Sequence, residues 1–180
     1  MKSIVLGFRA LPFLFVFVFS SIAYAADVDR FAGTYTGKAE FIANGEKQHR
    51  DLSTTITPSK DGFTLSWTSV TYRSDGRTKE ATYTIEFVPS PREGIYSSAM
   101  KVDIFGKRKP LNPLNGEPFV WARFRGDTFS TYSLFITEDG EYEMQEYHRT
   151  LTEGGLNLVF HRVRDSVVLR EITAFLAREG

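Results

Sequence analysis

A closed all-β meander of about ten antiparallel strands is the fold this sequence predicts. Three observations predict it. Apolar and polar residues alternate along most of the chain, which is the period of a half-buried strand. Short turns rich in Gly, Asn and Asp interrupt that alternation at regular intervals. No stretch beyond the first 25 residues shows a convincing helical period.

The amino terminus reads as a leader. Lys2 and Arg9 are positive, Leu11 to Phe19 is apolar apart from Pro12, and Ala23-Tyr24-Ala25 has the small-x-small form of a cleavage site. The apolar run is shorter than the ~20 residues a spanning helix needs. The expected organisation is therefore residues 1–25 as signal peptide and 26–180 as a single domain, with the mature chain periplasmic or secreted and not inserted in a membrane. Removing the leader's two positive charges leaves 20 basic against 22 acidic residues, a net charge of −2. Such a balance excludes a general basic field for nucleic acid. The chain has no cysteine, so disulfides, thiolate nucleophiles and Cys-ligated metals are excluded, and stability must come from packing.

In order, Asp27–Arg30 reads as a polar lead-in. Expected strands are Phe31–Ala43, Lys47–Thr57, Phe63–Tyr72, Lys79–Val88 and Gly94–Val102. Asn44-Gly45 is a hairpin signal between the first two. A Pro-rich connection, Asp103–Pro118, carries Lys107-Arg108-Lys109. Five more strands follow: Phe119–Arg125, Thr128–Thr137, Glu141–Leu151, Gly155–Val163 and Val167–Leu176. A meander of this length hides its edges by closing into a barrel, with a flattened two-sheet sandwich as the alternative.

Turn chemistry predicts register. Ser74-Asp75-Gly76, Glu138-Asp139-Gly140 and Thr152-Glu153-Gly154 read as three-residue loops closed by a left-handed Gly. That reading pairs Trp67 with Tyr83, Leu134 with Met144, Tyr132 with Glu146 and Ser130 with His148. It sets His148 beside Leu158 and Glu146 beside Phe160. A three-residue Arg164–Ser166 loop pairs Arg162 with Arg170. At Lys60–Gly62 the same rule places Thr55 beside Trp67, which calls for a bulge near Pro58. The expected inward face then joins Trp121, Tyr132, Glu146, Phe160 and Ile172 in one row, with Arg162 and Arg170 nearer the end that bears Asp103–Pro118. Arg123, Ser130 and His148 form a polar cluster toward the other end.

Phe31-Ala32-Gly33-Thr34-Tyr35-Thr36-Gly37 resembles the first strand of the calycin superfamily, the lipocalins and fatty-acid-binding proteins, with Gly33-Thr34-Tyr35 in place of their Gly-x-Trp. The resemblance implies a lipocalin-like barrel whose mouth is the end bearing Asp103–Pro118. It also implies that Arg178 packs on the first-strand aromatic. Tyr35 departs from the family's Trp, and no second lipocalin motif is present.

No nucleophile elbow, P-loop, dinucleotide fingerprint or His-Glu-x-x-His motif occurs, so no catalytic residue, metal site or cofactor is assigned. Ser130, His148 and Glu146 converge on paper, but side-by-side Glu146 and His148 lack the geometry of a triad. The expected function is a carrier or binding protein for a small amphipathic or anionic, lipid-like ligand. Trp67, Tyr83, Trp121, Tyr132 and Phe160 would wall the cavity, and Arg162 and Arg170 would hold the anion, with Glu146 as their internal rival partner. The alternative is a structural or protein-interaction module with a side-chain-filled barrel.

Overall fold

The computed structural model describes residues 22–43, 45–73, 75–98, 101–102, 108–109 and 111–180. Residues 1–21, most of the expected leader, together with Asn44, Ser74 and Lys107, lie outside the described residues. The elements are α1 (Ile22–Phe31), β1 (Gly33–Ala43), β2 (Glu46–Ser59), β3 (Gly62–Tyr72), β4 (Thr78–Pro89), β5 (Ile95–Ser98), β6 (Lys101–Val102) and β7 (Arg108–Lys109), then β8 (Phe119–Arg125), β9 (Thr128–Ile136), β10 (Tyr142–Thr152), β11 (Gly155–Arg164) and β12 (Val167–Arg178). β6 and β7 form a small ribbon of their own; the other ten strands pair with their chain neighbours, and β12 closes on β1 as an up-and-down barrel.

The x-acid-Gly turns behave as read at two joints. Gly76 and Gly140 have φ of 78° and 86°, and Trp67 pairs with Tyr83 and Leu134 with Met144. Two other turns differ. Lys60-Asp61 is a two-residue loop, so Pro58 pairs with Phe63 and Thr54 with Trp67 and no bulge is needed. Glu153-Gly154 is also a two-residue loop, because Thr152 pairs directly with Gly155. Asp165-Ser166 takes positive φ at both residues, and a register shift at Arg162/Val163 restores the Arg162–Arg170 pair.

The Glu153-Gly154 loop changes which face of the sheet is inside. One residue of slip moves every side chain to the other face. In place of His148 beside Leu158, the structure pairs Arg149 with Leu158 and Tyr147 with Phe160. The inward set on β8, β9 and β10 is therefore Val120, Ala122, Phe124, Phe129, Thr131, Tyr147 and Arg149. Trp121, Arg123, Ser130, Tyr132, Glu146 and His148 lie on the outer face, opposite to expectation.

The expected polar lead-in, Asp27–Arg30, lies within a helix, α1. Val28 and Phe31, one turn apart, bury 97% and all of their surface respectively. Phe31 meets Phe124 and Phe129 edge-on at 5.4 and 6.0 Å, and Arg30 pairs with Asp127 in the β8–β9 turn. α1 thus plugs the end of the barrel that carries the 60–61, 126–127 and 153–154 turns. Two apolar positions are too few to announce a helix, whose stability here comes from docking. Above the plug, Ile56, Phe63, Leu65, Phe87, Tyr96, Phe124, Phe129, Leu156 and Leu176 fill the lumen.

At the β1–β12 seam the ladder runs only from Tyr35–Arg178 to Gly37–Leu176. A side chain at residue 37 would come within 2.2 Å of the Phe175 carbonyl oxygen, so glycine lets the strands meet there. The Arg178 guanidinium sits 5.7 Å from the Tyr35 ring, the contact the calycin resemblance implies.

Candidate functional site

The half of the barrel away from α1 differs in chemistry from the plugged half. An aromatic layer marks the change. Tyr83 on β4 stacks on Trp67 of β3 at 5.1 Å. Trp67 reaches Tyr147 on β10, on the far side of the barrel, at 5.8 Å, and Tyr147 meets Phe160 of β11 at 4.6 Å. These rings form a floor across the lumen.

Above and around that floor the inward face is cationic. Strand register places Arg50, Arg149, Arg162, Arg164 and Arg170 on it, against one buried carboxylate among the described residues, Glu143. Glu46 and Lys79 stand exposed at the rim. Glu143 is 5% exposed. It accepts from Arg162 at 2.7 Å, from Arg164 at 3.2 Å and from Gln145 at 3.1 Å. The Arg162 hydrogen bond leads in holding its carboxyl down to about 2, against the desolvation that raises it. The same bond raises Arg162. The Nε atoms of Arg162 and Arg164 are buried without a partner.

The remaining arginines have no carboxylate in an ion pair among the described residues. Arg50 donates to Thr71 Oγ1 at 2.9 Å. The Arg50 and Arg170 guanidinium groups sit 4.7 and 5.4 Å from the Phe41 ring. Burial, then the nearby Arg170 charge, lowers Arg50. Arg149 lies just under the floor, 1% exposed, over the rings of Phe129 and Tyr147 at 5.5 and 5.3 Å. It donates to Thr131 Oγ1 at 3.1 Å, while its Nε has no partner. Burial pulls this guanidinium down to about 10. Two like charges beside one ring and a third beneath the floor make this half of the barrel a cationic cup.

Of the residues singled out in the sequence, Arg162, Arg170, Trp67, Tyr83 and Phe160 face this cup. Trp121, Tyr132, Arg123, Ser130, Glu146 and His148 do not. The acid paired with Arg162 is Glu143 rather than Glu146, and its second partner is Arg164 rather than Arg170. Arg50, Glu143, Tyr147, Arg149 and Arg164 were missed. Both faces of β10 mix aromatic, charged and polar side chains, so hydropathy does not say which face is inward.

No protein-family model matches the chain, and no curated protein does. Solved structures do resemble it. A redesigned β-barrel, mFAP1, bound to DFHBI aligns with 84% of this chain and 98% of its own, at 12% identity and a TM-score of 0.36. The S-type phycobiliprotein lyase CPES from Guillardia theta aligns over 85% of this chain and 90% of its own, at 9% identity and a TM-score of 0.35. These are likenesses of fold. Among the described residues no helix is long and apolar enough to cross a membrane.

The Glu143 contacts carry a pH consequence. Its folded-state value lies below the ordinary 4.5, so its contribution is complete above about pH 4.5 and is lost as pH falls toward 2. Thermal melts of the wild type and Glu143→Gln should differ most at neutral pH, by up to about 3 kcal/mol, and converge between pH 4.5 and 2. Parallel curves through that window would show that the carboxylate is not held by its arginines.

Proposed function

We propose that this protein is an exported binding or carrier protein for a small amphipathic anion, held at the open end of the barrel. The observation that carries the reading is the charge imbalance of the inward face: Arg50, Arg149, Arg162, Arg164 and Arg170 against one buried carboxylate among the described residues, Glu143. A protein filling its lumen only for stability gains little from unpaired buried charge, which costs free energy unless an anion compensates it. The aromatic floor supports an apolar ligand body, and Arg50, Arg162 and Arg170 an anionic head. The leader-like first 25 residues support placement in the periplasm or outside the cell.

The test uses laurate and decyl sulfate, with dodecanol as the uncharged counterpart. Trp67 belongs to the floor and Trp121 to the outer wall, so a Trp121→Phe background isolates the relevant emission. Both anions should change Trp67 fluorescence and dodecanol should do so far more weakly. Arg162→Ala with Arg170→Ala should weaken anion binding at least tenfold, ~1.4 kcal/mol. If neither anion binds and the double variant only melts earlier, the arginines are structural and the filled-barrel interaction module is the correct reading.

A further inference from the structure

The residues turned outward by the Glu153-Gly154 loop are themselves organised. On the outer wall Glu146 of β10 pairs directly with His161 of β11, and His161 pairs with Glu171 of β12. His148 stands two residues from Glu146 on the same face. We propose that Glu146, His148 and His161 form a binding site for a divalent transition metal of the zinc class.

Three observations support it. One donor atom from each of the three residues lies within 4.8 Å of the other two. Ligands of a tetrahedral zinc with bonds of ~2.0 Å stand about 3.3 Å apart, so rotamer adjustment brings this set to bonding distance. Second, His148 Nε2 faces Glu146 Oε2 at 3.2 Å, and His161 Nε2 faces Glu171 Oε2 at 3.2 Å. A carboxylate oxygen and a ring nitrogen at that separation need a proton or a cation between them, and a metal ion takes the proton's place. Third, His148 is already oriented from behind. Its Nδ1 lies 2.9 Å from Ser130 Oγ. When Nε2 binds metal, Nδ1–H donates to that hydroxyl, the arrangement that commonly fixes a metal-bound imidazole.

The surroundings suit a held ion better than a solvated charge cluster. The His148, His161 and Glu146 side chains are only 28%, 30% and 32% exposed. Tyr132 packs edge-on against His148 at 5.8 Å, and Trp121 stacks on Tyr132 at 5.0 Å. Two imidazoles with carboxylate oxygen and no thiolate favour zinc, copper, nickel or cobalt over magnesium or calcium. Glu171 stands beside His161 as a further oxygen donor. This site lies on the opposite face of the sheet from the arginine cup, so it stands or falls independently of the ligand reading.

The experiment titrates the full chain, purified in chelator-treated buffer, with Co2+ read by visible absorption, then displaces it with Zn2+. The expected result is one ion per chain with a dissociation constant of micromolar or below. His148→Ala and His161→Ala should each weaken binding at least tenfold, and Ser130→Ala by ~10–100-fold with the ligand set unchanged. His49→Ala, a histidine on β2 beside Glu40, should bind as the wild type does. Binding below one equivalent, unchanged affinity in the His148 and His161 variants, or an equal loss in His49→Ala overturns the site. If either alanine variant loses its β-sheet circular dichroism, the wild type decides through Ni2+ and tryptophan emission. Quenching that disappears in Trp121→Phe supports the site, and emission indifferent to Ni2+ overturns it.

Discussion

Replacing Phe63 with alanine should lower unfolding free energy by about 3–5 kcal/mol, the range for deleting a buried aromatic ring. Phe63 is fully buried at the centre of the plugged half. Its ring stacks on Phe87 at 4.9 Å and meets Tyr96, Phe124 and Phe129 edge-on at 5.1, 5.5 and 5.5 Å. Those partners come from β4, β5, β8 and β9, so the ring ties together strands far apart in the chain. The cavity left behind has rigid aromatic walls that cannot collapse into it. A domain of this size has only about 5–15 kcal/mol in total, so the variant should be visibly destabilised. Urea titration should show a lower midpoint with an unchanged slope. A loss below 1 kcal/mol would mean that the aromatic cluster is not the packing centre.

Arg149→Met should act in the opposite direction on stability. The guanidinium is almost wholly inaccessible, has no carboxylate partner among the described residues and leaves Nε unsatisfied. Burial pulls it down to about 10, which reports the cost of keeping the charge there. Methionine keeps much of the length and apolar volume and removes the charge. Unfolding free energy should rise by about 1–3 kcal/mol, as when buried ionic groups give way to packed apolar ones. Under the proposed function, the same change should weaken laurate binding several-fold, because the positive field under the floor is gone while the contacts above it remain. A more stable variant that binds less tightly is the signature of charge kept for function. If Arg149→Met melts well below the wild type, the ring contacts and the Thr131 bond are its purpose.

Strand positions were legible in the chain because alternation and turn residues act locally. The ends of β8 agree with the expected Phe119–Arg125, and those of β9, β10, β11 and β12 fall within two residues of expectation. Gly76 and Gly140 specify their turns by themselves, since positive φ suits glycine and few other residues. The paired faces of β3 and β4 followed from those turns. α1 was not legible, since Val28 and Phe31 become a helical face only once the barrel end exists to receive them.

What only the tertiary structure decided is which face of β8, β9 and β10 lies inside. The Thr152-Glu153-Gly154 sequence fits either a two-residue or a three-residue loop, and β10 is mixed on both faces: Glu146 and His148 on one, Tyr147 and Arg149 on the other. No local term separates them. Closure does, because Phe129 and Phe124 must meet Phe31 and Phe63 in the plugged half. That long-range packing turns Arg149 inward beneath the aromatic floor and leaves His148 and Glu146 outside. The residue types of the proposed anion cup and metal site were therefore present in the sequence, but their sorting onto opposite faces of one sheet was set by a core whose contacts span the whole chain.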